Sequence, residues 1–204
     1  MKFIAPKRVI LASASPRRRE LLQLLGLPFA VIPSDVSEDV GWKGDDFQGL
    51  ARALAAKKTW AVAAGHEEAI VIGADTIVVQ DGVVYPKPAS EAEAIRFLRK
   101  LSGREHSVIT GVGIYHNGQV ETFATETIVT FRKLDDALID AYVRSKDPMD
   151  KAGAYGIQTA GALLVAKIEG DYHTVVGLPI AKLVEELRRL QLIVLQEGGQ
   201  PNAD

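Results

Sequence analysis

Three consecutive arginines, Arg17, Arg18 and Arg19, directly follow the run Ser13-Ala14-Ser15-Pro16. Pro16 suits the first position of a helix and Ser15 its N-cap, which puts all three guanidiniums in the first helical turn. That end of a helix carries unpaired N–H groups and partial positive charge, so cations alone are unfavourable there. An anion removes the conflict. A phosphate would accept from the free N–H groups, from the serine hydroxyls and from the guanidinium forks together. Three solvated arginines on a surface helix account for the same stretch equally well, so the pattern needs partners elsewhere in the chain.

Asp75 is the sharpest of these. It interrupts the apolar segment Ala69–Val79, and a carboxylate on a buried strand is costly unless it is paired, binds a metal or borders a cleft. Gly73-Ala74 leaves room for another group to come close to the backbone. A functional carboxylate at a cleft or metal fits; so, with less weight, does an aspartate satisfied by a turn or a neighbouring lysine. Lys87 lies between Pro86 and Pro88, which restrict the backbone and aim one cation. Lys58 sits on an alanine-rich helix, where a solvated lysine is the ordinary reading. Glu38 belongs to the acidic segment 35–46, ordinarily a solvated loop, and becomes an oxygen ligand only if that loop folds over Arg17 and Arg18. In Asp150–Gln158 (DKAGAYGIQ), glycines flank Tyr155 and Gln158. The Gln158 amide can donate and accept, which suits the N3–H and O4 edge of uracil or thymine; a structural loop is the equal alternative. His66, His106, His116 and His173 have no metal-ligand spacing, and there is no Walker A loop, nucleophile elbow or dinucleotide fingerprint.

The elements that must position these residues alternate between strand and helix. Strands are expected at Val9–Ala12, Phe29–Pro33 and Ala69–Val79, the last central and buried. Asp81-Gly82 turns into Val83–Tyr85, and Asn117-Gly118 joins Ser107–His116 to Val120–Phe131 as a hairpin. A further strand is expected at Ala162–Ile168. Helices are expected at Pro16–Leu25, Phe47–Ala64, Ser90 to Leu101 with a Glu93 capping box, Asp135–Ser145, and Leu178 to Leu195. Asp147–Gly161 reads as a long loop. Interleaved hairpins and crossovers predict a mixed, twisted α/β sheet flanked by helices. One domain is expected over 1–195, with a disordered tail from Gln196 to Asp204.

The 204 residues are 47% hydrophobic and 25% charged, ordinary for a soluble globular chain, and the net charge of −2 argues against non-specific nucleic-acid binding. With no cysteine, disulfides, thiolate catalysis and cysteine zinc sites are excluded. No signal peptide or membrane span is visible, so a cytoplasmic location with no membrane partner is expected.

Together these segments resemble the Maf family of nucleotide pyrophosphatases. The resemblance runs from Ile10 to Leu187 through LASASPRRRELL (Leu11–Leu22), Glu38, Leu54–Lys58, IGADTIV (Ile72–Val78), Lys87-Pro88, LSGREHSVITGV (Leu101–Val112), DKAGAYGIQ (Asp150–Gln158) and VVGLPI (Val175–Ile180). It implies a two-lobed fold around a central cleft, similar to inosine triphosphate pyrophosphatases. It implies hydrolysis of a nucleoside triphosphate to the monophosphate and pyrophosphate with a divalent cation, Mg²⁺ or Mn²⁺. Asp75 would be the proton acceptor, Ser13, Ser15, Arg17, Arg18, Lys58 and Lys87 the phosphate ligands, and Glu38 with Asp75 the metal ligands. Arg17, Thr76 and Gln158 match the branch acting on dTTP and UTP, with modified uridine triphosphates as further candidates. The chain departs from the family pattern at Ala53, Thr59 and Thr159, the last beside the expected base pocket. A homodimer is compatible with the resemblance and with the apolar hairpin. Two rival readings are a nucleotide-binding regulator of cell division acting through a protein partner and, more weakly, a nucleic-acid binder using Arg17–Arg19.

Overall fold

The computed structural model describes residues 2–37 and 40–196. In chain order the elements are β1 (Phe3–Ile4), β2 (Val9–Leu11), α1 (Pro16–Gln23), β3 (Phe29–Val31), α2 (Phe47–Ala63), β4 (Ile70–Gln80), β5 (Val83–Tyr85), α3 (Glu91–Leu101), β6 (Glu105–His116), β7 (Gln119–Phe131) and α4 (Asp136–Arg144). Three 3₁₀ turns, Asp147–Asp150, Ala152–Ala154 and Ala160–Leu164, lead to β8 (Val165–Glu169), α5 (Tyr172–Val176), α6 (Ile180–Arg189) and β9 (Val194–Leu195).

Local chemistry sets most of these boundaries. Ser15 caps α1 by accepting from the Arg18 N–H, with Pro16 in the first turn. Ser90 accepts from the Glu93 N–H, and the Glu93 carboxylate reaches back to the Ala89 N–H at 2.9 Å. Asn117 (φ 48°) and Gly118 (φ 80°) make the tight turn between β6 and β7.

The seven-stranded sheet has the order β3-β2-β4-β6-β7-β8, with β5 alongside β4. β2 runs parallel to β3 and β4, and the remaining pairs are antiparallel, so the sheet is mixed as expected. Odd-numbered residues of β4 and β6 face α2, where Ile77, Val79 and Ile109 pack with Ala51 and Leu54. The even face carries two apolar clusters. Ile70, Ile72, Ala74, Val112 and Ile114 pack against Leu21 and Leu22 of α1 and Leu183 and Leu187 of α6. Val78 and Val108 pack against Leu98 and Leu101 of α3 and Ile139 and Val143 of α4. These are the two lobes.

Some expectations need correction. The last helix ends at Arg189 instead of Leu195, because Gln191 turns left-handed (φ 57°) and the Leu192 N–H closes onto the Leu187 carbonyl at 2.8 Å. Val194 and Leu195 then pair antiparallel with Ile4 and Phe3, a small sheet the sequence reading missed. Ala162–Leu164 belongs to a 3₁₀ turn, so that strand starts at Val165. The short α5 was also missed. Of the expected tail, the Gln196 N–H bonds to the Lys2 carbonyl, and residues 197–204 lie outside the described residues. No described helix is long and apolar enough to cross a membrane.

Candidate active site

β4 is paired with β2 over residues 70–72 and with β5 over 78–80, which leaves the edge at 73–77 uncovered between them. A cleft of about 650 Å³ wraps this edge. Because an edge can be reached from both faces of a sheet, Asp75 and Thr76 both line the cleft although their side chains point to opposite faces. Ser13, Ser15, Arg17 and Arg18 reach it from the start of α1, Lys58 from α2, Lys87 from beyond β5, and Gln158 from the turns after α4. Every candidate from the sequence therefore lies in one cleft except Glu38, which falls outside the described residues.

Asp75 and Lys58 meet because α2 lies almost against the sheet. A Cβ on Gly111 would stand 2.1 Å from the Ala51 carbonyl oxygen, and one on Gly73 or Gly113 would stand 2.3 or 2.5 Å from Thr59 Oγ1. Thr59 is itself fully buried and donates to the Ala55 carbonyl at 2.8 Å. Glycine at these three strand positions thus brings the Lys58 ammonium onto Asp75 Oδ1. The side chains are 13% and 9% exposed, so neither charge could stay there uncompensated.

Arg17 and Arg18 are held differently. Arg17 Nη1 donates to Asp150 Oδ2 at 3.2 Å across the cleft. Arg18 donates Nε to the Gly177 carbonyl (2.8 Å), Nη2 to Thr76 Oγ1 (3.1 Å) and Nη1 to Ser13 Oγ (3.3 Å). Its guanidinium is largely engaged by protein oxygens, more than the reading as a phosphate ligand anticipated.

The wall carrying Gln158 is fastened by charges. Buried Lys151 donates to the Asp147 carbonyl (2.6 Å), Asp147 Oδ1 (3.1 Å) and Asp150 Oδ1 (2.6 Å). Asp147 Oδ2 accepts from Tyr142 and lies 2.6 Å from the Thr159 hydroxyl, and the Tyr142 oxygen accepts from the Gly156 N–H at 3.1 Å. Burial alone would raise the Asp147 pKa, but bonds from Thr159, Tyr142 and Lys151 outweigh it and hold the carboxyl below its usual range. Asp150 is likewise lowered: burial works against ionisation, and Lys151 and then Arg17 prevail. Burial, reinforced by Asp147, raises the Tyr142 phenol. Thr159, the departure from the family pattern, is therefore built into this wall, while the Gln158 amide is exposed at the cleft with no hydrogen-bond partner among the described residues. Beneath it Tyr155 lies 2.8 Å from His106 Nε2, and burial lowers the His106 pKa to about 4.

Asp150 and Lys151 escaped the sequence reading as site residues, although both stand in the quoted DKAGAYGIQ segment; two adjacent charges opening a glycine-rich loop were the available signal. The apolar wall of Val40, Leu50, Leu54 and Val84 was also missed.

No group of three His, Asp or Glu side chains fit to hold a cation occurs among the described residues. Mg²⁺ commonly takes one or two carboxylates and completes its shell with substrate phosphates and water. Of the two described carboxylates that line the cleft, Asp150 is engaged by Arg17 and Lys151 and Asp75 by Lys58, so Asp75 does not by itself make a resident metal cage and suits an ion that shares its ligands with a polyphosphate.

A mixed α/β sheet whose uncovered central edge opens into a cation-lined cleft with a buried acid is a known architecture. A HAM1 protein from Coxiella burnetii shares the fold, with a TM-score of 0.51 at 16% identity over 90% of this chain and 99% of that one. The Maf-like protein family model matches residues 8–190, and the chain belongs to this family. A relative from Bacillus cereus (strain AH820), named dTTP/UTP pyrophosphatase, is 48% identical over 188 residues, covering 92% of this chain and 98% of the relative. Another of the same name, from Bacillus cytotoxicus, is 50% identical over 183 residues, covering 90% and 95%.

Proposed function

We propose that this protein hydrolyses nucleoside triphosphates, dTTP and UTP foremost, to the monophosphate and pyrophosphate. The observation that carries the reading is the buried Asp75–Lys58 pair on the uncovered edge of β4, in a cleft shared with Arg17, Lys87 and Gln158. Relatives near 48% identity that bear the name dTTP/UTP pyrophosphatase support the substrate class.

The triphosphate lies against the turn Ser13–Arg18. Arg17, Lys58 and Lys87 offset its charge, while Arg18 contributes from a guanidinium already fastened to Gly177, Thr76 and Ser13. Phosphate oxygens and Asp75 share the Lys58 ammonium. Asp75 orients a water and takes its proton as the water oxygen attacks the α-phosphorus. The bond from the α-phosphorus to the bridging oxygen breaks, and pyrophosphate leaves. Positioning and charge neutralisation supply most of the rate, as in other phosphoryl transfers. Mg²⁺ or Mn²⁺ brought in on the substrate would be held by Asp75 with phosphate oxygens, with Glu38 as the second carboxylate of the sequence-based set, and would withdraw charge from the phosphates. The Gln158 amide reads the N3–H and O4 edge of the base, with Arg17 alongside.

A pyrophosphate-release assay over normal and modified triphosphates, with and without Mg²⁺, tests this reading. Preference for uracil and thymine bases with metal-dependent release is expected. Equal turnover of purines removes the Gln158 assignment, and no release from any nucleotide removes the reading itself.

A further inference from the structure

On the even face of the sheet, a polar seam separates the two apolar clusters. Thr76, Thr110 and Thr125 stand side by side on β4, β6 and β7. Ala74, Val112 and Ile114 lie to one side, and Val78 and Val108 to the other. α5 closes over the seam. Thr127 donates to the Asp171 carbonyl at 2.9 Å, while the Asp171 side chain caps the helix through the His173 and Thr174 N–H groups.

The hydrogens in this seam can run in only one direction. A carbonyl cannot donate, so Thr110 gives its single hydroxyl hydrogen to the Thr174 carbonyl at 2.7 Å. In the 2.9 Å pair between Thr76 and Thr110, Thr76 must therefore be the donor. Thr76 in turn accepts from Arg18, which can only donate. On the outer side, the Thr174 hydroxyl donates to Asp171 Oδ2 at 2.9 Å, so Thr125 donates to Thr174 across 2.7 Å. The Gly177 turn that ends α5 supplies the acceptor for Arg18 Nε, and it is tight: a Cβ there would stand 3.3 Å from Thr76 Oγ1. The inner end of the chain is Ser13. Its oxygen accepts from Arg18 Nη1 at 3.3 Å and from the Ser15 N–H at 3.2 Å. With both lone pairs engaged, its remaining capacity is one O–H donor, the group a phosphate oxygen accepts.

We propose that Thr110, through its hydroxyl, and Thr174, through its main-chain carbonyl, neither of which lines the cleft, are positioning residues that fix Arg18, and with it Thr76 and Ser13, through these directed hydrogen bonds. The chain sets affinity for the polyphosphate and not the choice of base. Thr76, whose hydrogen is committed to Thr110, acts on the substrate through Arg18. The activity readout rests on the proposed nucleotide reading; a titration with inorganic tripolyphosphate does not.

The test is Thr110→Val in the full chain, with Thr110→Ser beside it. For Thr110→Val, KM for dTTP and UTP and the Kd for inorganic tripolyphosphate rise together by about tenfold, the cost of one buried hydrogen bond. kcat stays within about twofold, because ground state and transition state lose the same contact, and the dTTP-to-UTP ratio is unchanged. Thr110→Ser, which keeps the hydroxyl, restores both constants. Tripolyphosphate binding that is unchanged in Thr110→Val, whatever happens to its melting temperature, overturns the proposal. So does a Thr110→Ser variant as weak as the valine, or an altered base preference. Should Thr110→Val not fold, Thr110→Ala removes the same hydroxyl without a second methyl to place and is read by the same outcomes. A wild-type protein that binds tripolyphosphate but turns over no nucleotide overturns the enzymatic reading and leaves the chain testable by titration.

Discussion

The two faces of β4 hold the same cleft by different physics. On the odd face, contact is steric: glycines at 73, 111 and 113 let α2 settle on the sheet, and Lys58 reaches Asp75 as a result. On the even face, contact is made by directed hydrogen bonds, from α5 through the threonines to Arg18. Gly111 and Thr110 are neighbours in the chain and serve opposite faces. A close-packed face fails when volume is added, and a bonded face fails when one hydroxyl is removed. The proposed reacting group, Asp75, sits on the first and part of the proposed phosphate grip, Arg18, on the second, so turnover and affinity should separate by face.

The largest break in this comparison is Asp75→Asn. It keeps the shape and removes the proposed proton acceptor, so kcat should fall by about a hundredfold or more while nucleotide binding is largely kept; steady-state kinetics and a binding titration measure the two. Next is Gly111→Ala. The new Cβ meets backbone at Ala51, which cannot swing aside, so α2 must shift and take Lys58 with it. Urea unfolding should show a loss of about 2–3 kcal/mol, and kcat should fall, in contrast to the KM effect of Thr110→Val. A Gly111→Ala protein with wild-type stability and turnover would erase the distinction between the faces.

His106 probes the even face through pH. Burial lowers its pKa from the ordinary 6.5 to about 4, so the native state holds it neutral while the unfolded chain takes a proton first. Its contribution is constant above pH 6.5 and is lost as pH falls from there toward 4, by about 2 kcal/mol on reaching pH 5. His106→Gln should unfold with a correspondingly flatter pH dependence over that window; an unchanged slope would show that His106 titrates normally. The smallest effect is expected at Gln158, which neither face fastens. Gln158→Ala should reduce preference for uracil and thymine over other bases by about tenfold with no change in melting temperature.

Most of the elements and several of the residues that line the cleft were legible because their signals are local. Asp75 stood out as a charge in an apolar run, and Ser15-Pro16 marked the start of α1. The Asn117-Gly118 turn fixed the hairpin that carries Thr110 and Thr125. The threonine chain was not legible, because Thr76, Thr110, Thr125 and Thr174 are far apart in sequence and threonine on a strand is unremarkable. Arg17 and Arg18 looked equivalent for the same reason: only the distant Gly177 and Asp150 tell them apart. α5 was hidden by Val175 and Val176, which favour strand, although Asp171 and Gly177 do stand at its two ends as caps. The last helix was read too long because Leu190–Leu195 continues the apolar pattern, and hydropathy does not register the reversal at Gln191.

The pairing of Phe3 and Ile4 with Leu195 and Val194 brings the two ends of the fold within one strand spacing. Topologically the molecule is close to a loop. A linker joining the ends, with a new opening cut in the turn at Asn117-Gly118, would give a circular permutant that retains every strand neighbour and every cleft residue. Such a rearranged chain would have the same active protein read from a different first codon.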